Sequence, residues 1–280
     1  MVTIGLGDTS VGITSPDESF MKKIRSNYRH FIISRQPEFR IEITLNDRLS
    51  PGEIRKRLLI ARPNHEGYRY FTTPELINCR IDWGNRTLQI DTEKGLFSPE
   101  VDYKLMNQVL RGVHSGIYKK LRQTPIDTYL VHGCGIVSGS KSYLFTGVSG
   151  SGKTTVARLA NGRTVLNDEA VIIYKNGLGI RIDGSPLDGD LQDRNREGGH
   201  LSAIFFIEHA KEVTMQPLKA SDAYVRFLLQ VFHTAPLFEK PDNRSLSERA
   251  DLSATVVNSV PAYRLGFCPD QSFWKVVENV

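Results

Sequence analysis

The segment Gly147-Val148-Ser149-Gly150-Ser151-Gly152-Lys153-Thr154 has the residue types and spacing of a phosphate-binding loop. Glycines let successive backbone N–H groups approach phosphate oxygens without a Cβ in the way. A helix opening at Lys153 would aim its N-terminal dipole at the same anion. In that pattern Lys153 bridges the β- and γ-phosphates of ATP or GTP, and the Thr154 hydroxyl ligates Mg²⁺, with Thr155 following at the helix start. An apolar strand, Ser142–Phe145, leads in and a helical pattern leads out, which a chance glycine-rich turn would not require.

Two further groups have the chemistry to act beside the loop. Asp168 lies fifteen residues beyond Lys153, where one short helix and one returning strand bring a carboxylate back to the carboxyl edge of a sheet. A carboxylate there accepts a hydroxyl proton or holds the metal; as a plain surface feature, Asn-Asp-Glu is also good turn material. His132 stands in the apolar run Tyr129–Gly135, expected to pair with the strand feeding the loop. A histidine there is either a satisfied core residue or a member of the site.

Together these features resemble the catalytic domain of HPr kinase/phosphorylase, a bacterial serine kinase family whose core is phosphoenolpyruvate-carboxykinase-like. The resemblance rests on His132-Gly133, one hairpin before the loop and twenty-one residues before Lys153, and on Asn167-Asp168, where the family has an Asp-Asp pair. It is strong over Thr128–Tyr174 and weaker over Leu201–Glu208 and Val260–Asp270. It implies Lys153 and Thr154 on phosphate and Mg²⁺, Asp168 as proton acceptor and His132 in the active site.

Two departures from the family pattern bear on function. Asn167 replaces the first aspartate, and the Glu-x-Arg-Gly-x-Gly segment is missing, so HPr as substrate and phosphorylase activity are both in doubt. Ser185–Asp190 stands roughly in that segment's place, with Asp190 or Asp188 to take over the metal role, making Thr154, Asp168 and Asp190 the expected metal set. Arg194, Arg196 or Arg244 would supply a transition-state cation.

The elements that must position these groups are legible in part. Ser15-Pro16-Asp17-Glu18 and Ser50-Pro51-Gly52-Glu53 each read as a serine cap, proline and glutamate opening a helix. Ser98-Pro99-Glu100 opens a third, with Leu105, Val109, Val113 and Ile117 at helical spacing. Phe39–Leu45 alternates as a strand, and Cys79–Trp83 with Arg86–Asp91 reads as a hairpin through Gly84-Asn85. From Thr128 the texture becomes closely spaced strands and glycines: a hairpin of Thr128–Val137 with Lys141–Thr146, a helix at Lys153–Ala160 and a strand near Thr164–Leu166. Ala170–Tyr174 and Leu178–Ile182 pair around Asn176-Gly177. A buried strand at Leu201–Ile207, helices near Ser221–Phe232 and Ser247–Val257, a strand at Ala262–Phe267 and a terminal helix follow. With three hairpin signals around it, the loop strand is expected to be flanked by antiparallel neighbours rather than only by βαβ units.

The expected fold class is therefore α/β: a phosphoenolpyruvate-carboxykinase-like P-loop core with a mixed sheet, of the HPr-kinase catalytic type, plus an N-terminal α/β lobe. Residues 1–100 would form the lobe and 101–280 the kinase domain, unless the two are continuous. The expected function is ATP- and Mg²⁺-dependent transfer of the γ-phosphoryl to a hydroxyl on a protein, peptide or small metabolite. The alternatives are a shikimate- or nucleotide-kinase-type metabolite kinase, whose loop lies near the N-terminus, and an ATP-binding sensor that transfers nothing. A transporter-type ATPase would need an LSGGQ-type segment, which is missing.

Bulk properties agree with this frame. Net charge is +5 over 280 residues, but the basic residues are dispersed, which argues against a nucleic-acid partner. No apolar run reaches bilayer length and no secretory signal opens the chain. The cysteines Cys79, Cys134 and Cys268 lack metal-ligand spacing, which points to a reducing cytoplasm. A homo-oligomer is left open.

Overall fold

The structure, a computed structural model, describes residues 1–60, 76–97, 105–124, 127–231 and 243–280, the side chains of 58–60 and 243–245 excepted. It divides into two compact units, with the boundary between residues 125 and 126, near the change of texture at Thr128 and later than the division at 100/101 read from the sequence. Both units are mixed α/β, each with its own mixed sheet. Among the described residues no helix is long and apolar enough to cross a membrane.

The first unit is built on strands β1 (Val2–Leu6), β2 (Thr9–Thr14), β3 (Phe39–Asn46), β4 (Ile77–Asp82) and β5 (Thr87–Glu93), ordered β1-β2-β3-β5-β4. The two outer pairs are antiparallel, while β2–β3 and β3–β5 are parallel. The β1–β2 hairpin has no counterpart among the sequence expectations. It closes through Gly7, whose φ of 64° suits a residue without a Cβ. All of β1 is buried, so the alternation that betrays a half-exposed strand is missing.

Helix α1 (Glu18–Asn27) starts later than its serine suggests. Asp17 is the cap, its carboxylate accepting from Phe20 N at 2.8 Å, while Ser15 Oγ accepts from Asp17 N. Helix α2 (Pro51–Ile60) has the expected reciprocal box: Ser50 Oγ accepts from Glu53 N, and Glu53 Oε2 accepts from Ser50 N at 2.9 Å. Helix α3 (Leu105–Gly116) buries Leu105, Val109 and Val113, and a π-helical turn carries Ile117 onward; Ser98–Glu100 lies outside the described residues.

The second unit carries β6 (Thr128–His132), β7 (Cys134–Ser138), β8 (Lys141–Thr146), β9 (Thr164–Asn167), β10 (Ala170–Asn176), β11 (Gly179–Gly184), β12 (Gly199–His209), β13 (Thr214–Pro217) and β14 (Ala262–Phe267). Helices α4 (Lys153–Arg158), α5 (Ala220–Leu228), α6 (Asn243–Ser259) and α7 (Phe273–Val277) accompany them. The strand order is β6-β10-β11-β12-β8-β7-β9, with β14 beside β12 and β13 beside β14.

Three local expectations are corrected here. The run Thr128–Val137 breaks at Gly133, so that β6 pairs with β10 and only β7 forms the hairpin with β8. A Cβ at Gly133 would lie 2.6 Å from Leu144 Cδ1 and 3.0 Å from Phe145 O, which explains glycine at the crossing. The β10–β11 hairpin turns at Gly177-Leu178, since Asn176 already pairs with Gly179. Finally, β8 has the expected antiparallel neighbour in β7, but its other neighbour, β12, is parallel.

A single apolar cluster fixes α4 to this sheet. Phe145 from β8, Phe205 and Ile207 from β12 and Phe267 from β14 pack with Val156 of α4 and with Phe273 and Trp274 of α7. The Trp274 indole N–H donates to Leu159 O at 2.7 Å, and the Arg163 guanidinium lies 4.0 Å over its ring. Helix α4 is short, and this packing rather than its own propensity holds it in place.

Candidate functional site

The phosphate-loop segment leaves β8 at Thr146 and enters α4 at Lys153, as the motif requires. Gly150 and Gly152 have φ of 80° and 110°, conformations that side chains disfavour. A Cβ at Gly152 would meet Phe267 at 2.9 Å, and one at Gly147 would meet Ser151 Oγ at 2.9 Å and Ile207 O at 3.0 Å. The loop is therefore packed against the ends of β12 and β14. The N–H groups of Gly150, Gly152, Lys153 and Thr154 have no acceptor among the described residues, whereas Ser151 N donates to Val148 O. Lys153 is buried and its Nζ donates to Gly147 O and Val148 O, both at 3.0 Å. Burial pushes its amine pKa down, against the opposing charges of Glu169 and Cys134.

Asp168 follows β9 at the same sheet edge and is 3% exposed. Its Oδ1 accepts from Leu191 N at 3.3 Å, and a Cβ on Gly189 would come within 2.1 Å of it. Segment 189–191 thus lies directly on the carboxylate. Between these two, Asp190 turns outward, its Oδ2 accepting from Thr154 Oγ1 at 3.5 Å. Buried Cys134 reports how closely the groups gather. Burial raises its thiol pKa well above the usual value, the Asp168 charge raises it further, and Lys153 opposes both.

Asn167 has a structural assignment that the sequence did not reveal. Its Nδ2 donates to Ser185 O at 2.9 Å and Leu187 O at 2.8 Å, while its Oδ1 accepts from Glu169 N and Ala170 N. Arg194, 1% exposed, secures the same segment through Leu187 O at 2.6 Å and Asp188 Oδ1 at 2.7 Å. Asp188 and Arg194 therefore brace the segment from inside, and Asp190 is its member that reaches Thr154. Arg196 contributes its carbonyl to Gly184 N, and the Arg244 side chain lies outside the described residues.

His132 ends β6 beside Ala170 of β10. Thr146 Oγ1, at the base of the loop, donates to its carbonyl at 2.7 Å. Gln230, just past α5, accepts the His132 N–H on its own carbonyl at 2.8 Å and meets Nδ1 with its side-chain oxygen at 3.3 Å. The pairing of His132 is with β10 and not with the loop strand, yet Thr146 and the Gly133–Glu169 hydrogen bond bring it to the same edge.

Gln230 and His209 are additions to the residues expected from sequence. His209 ends β12 and its Nε2 lies 2.8 Å from Gly150 O. Their partners are 98 and 59 positions away, so no local spacing marks them.

Among the described residues no group of three or more His, Cys, Asp or Glu side chains is arranged to hold a metal ion by itself. A Mg²⁺ ion on nucleotide needs less: a hydroxyl and one or two carboxylates, with phosphate oxygens and waters completing the shell. Thr154, Asp190 and Asp168 fit that donor set. A cavity of about 500 Å³ in the first unit, lined by Val2, Arg25, Ile32 and Arg35 among others, includes none of these groups. Compared with known proteins, the chain matches no protein-family model and no curated protein.

Proposed function

We propose that the chain is an ATP- and Mg²⁺-dependent phosphotransferase resembling HPr serine kinase, acting on a hydroxyl of a protein, peptide or small metabolite. The carrying observation is the set of N–H groups at Gly150, Gly152, Lys153 and Thr154 that have no acceptor among the described residues, at a strand end that also holds Lys153 and buried Asp168. Such a cradle suits the oxygens of a polyphosphate. Lys153, already over the loop, would exchange its carbonyl partners for phosphate oxygens and offset their charge.

Thr154 and Asp190, with Asp168, would hold Mg²⁺, whose charge would offset that of the phosphate oxygens. In the transfer, an acceptor hydroxyl oxygen bonds to the γ-phosphorus as the bond to the β–γ bridging oxygen breaks. Asp168 takes the hydroxyl proton and ADP leaves. His132, tied to Thr146 and Gln230, borders the same edge. The antiparallel neighbour β7 supports a phosphoenolpyruvate-carboxykinase-like core over a shikimate-type one.

A second reading, an ATP-binding sensor, is favoured by one observation: segment 189–191 covers Asp168. The test is titration of the protein with ATP and Mg²⁺ by calorimetry, followed by measurement of ADP and phosphorylated product with candidate acceptors. Binding with turnover supports the kinase, binding without turnover the sensor. Absence of ATP or GTP binding would sink both.

A further inference from the structure

The glycines of the loop are held in different ways. Gly147 and Gly152 are wedged against Ser151, Ile207 and Phe267, at approaches of 2.9–3.0 Å from the position a Cβ would take. Gly150, at φ 80°, has nothing within 4 Å of that position, so no steric wall fixes its backbone. Two hydrogen bonds hold the peptide it shares with Ser151: Ser151 N–H donates to Val148 O at 3.1 Å, and His209 Nε2 lies 2.8 Å from the Gly150 carbonyl oxygen. That oxygen only accepts, so Nε2 carries the proton and donates. His209 comes from the end of β12, the strand parallel to β8 and the one whose Ile207 carbonyl abuts Gly147.

We infer that His209 is a positioning residue of the phosphate site, which holds the Gly150 carbonyl away from the anion so that the neighbouring N–H groups face it. With open space around Gly150 and only the Ser151–Val148 hydrogen bond at its other end, this peptide could otherwise rotate and turn its oxygen toward the phosphate, replacing attraction by repulsion. The His209 hydrogen bond selects the orientation that suits a polyphosphate. β12 thus acts on the loop at two points, through packing at Gly147 and a hydrogen bond at Gly150. The inference rests on the nucleotide-binding reading proposed above.

The test compares wild type with His209→Ala, which removes the donor, and His209→Gln, whose amide can reach the same oxygen. Two readouts are used on the whole chain: hydrogen exchange of loop amides 148–154 without ligand, and calorimetric affinity for Mg²⁺–ATP and for inorganic tripolyphosphate. We expect His209→Ala to exchange faster in the loop and to bind both probes about three- to tenfold more weakly, with His209→Gln close to wild type in both. His209→Ala matching wild type in both readouts would overturn the role of His209 while leaving the nucleotide reading intact. So would equal impairment of the two variants, which would mean that ring packing, not the hydrogen bond, matters. Wild type that binds neither probe would remove the nucleotide reading and this inference together.

Discussion

Lys153 is the one side-chain cation inside the loop motif, and its burial already disfavours the charged amine. An anion in the cradle would restore the balance, so charge on the ligand and charge on Lys153 should support each other. Lys153→Ala is expected to keep the fold, as judged by circular dichroism, while losing most ATP affinity and all transfer. Unchanged calorimetric affinity in the folded variant would refute the assignment. Asp168→Asn retains an oxygen that can accept from Leu191 N, so its shape and the covering segment should survive. If Asp168 receives the hydroxyl proton, transfer should fall by about two to four orders of magnitude with ATP affinity nearly kept. If it only holds Mg²⁺, excess Mg²⁺ should recover much of the rate.

The neighbouring Asn167 invites the opposite substitution, since an aspartate there would rebuild the pair of the resembled family. The structure argues against a gain. Asn167→Asp would replace an amide that donates to two carbonyls with a carboxylate facing both, at a fully buried position. The expected result is a loss of about 3 kcal/mol of stability in urea denaturation, without tighter metal binding. An equally stable variant with higher Mg²⁺ affinity would show that the segment can rearrange to admit a second carboxylate.

At the scale of elements, segment 185–191 connects Asp168, Thr154 and β9, and Gly189 is its closest point of approach. A side chain at Gly189 must displace either the segment or Asp168, because the clash is with the carboxylate itself. Gly189→Ala should therefore lift Asp190 from Thr154 and raise the Mg²⁺ needed for half-maximal ATP binding by about tenfold. No change in the Mg²⁺ requirement would exclude Asp190 from the metal set. Elements with local signals were legible in the sequence: the glycine spacing of the loop, the Ser50–Glu53 box, and the hairpin β4–β5 with its polar turn. Elements defined by distant partners were not. The run through Gly133 looks like one strand because nothing local says that its halves pair with different neighbours. Buried β1 lacks alternation, and β13 is too short to stand out. The same division holds in the site. Lys153, Thr154 and Asp168 are singled out by spacing, whereas the contacts of Asn167, Gln230 and His209 arise only in the folded chain.

At the scale of the whole molecule, each unit has its own sheet, and each carries one of the two tryptophans. Trp83, 5.0 Å from Phe39 in ring-centroid distance, reports the first unit, and Trp274, packed on α4, reports the second. The chain lacking Trp83 (Trp83→Phe) and the chain lacking Trp274 (Trp274→Phe) therefore follow the two units separately by fluorescence. A ligand that binds only the native loop stabilises the unit that carries it, by about 2.7 kcal/mol at a hundredfold excess over Kd. Mg²⁺–ATP should then raise the urea midpoint reported by Trp274 and leave that reported by Trp83 in place. Acid provides the converse test. Burial pushes the Asp8 carboxyl up, but hydrogen bonds from Tyr118 and Arg122, with the charges of Arg122 and His114, outweigh it and hold it below the ordinary carboxylate range. A depressed carboxyl contributes stability above its unfolded pKa of about 3.9, and that contribution is lost as pH falls through the folded value. Asp8→Asn should accordingly flatten the acid limb below about pH 4 as seen by Trp83, with no change in the limb seen by Trp274. Nucleotide and acid would then act on different reporters, as expected of two cores that unfold separately. If both reporters move together under either treatment, the units unfold as one cooperative body, and ligand at the phosphate loop stabilises the first sheet as well as the second.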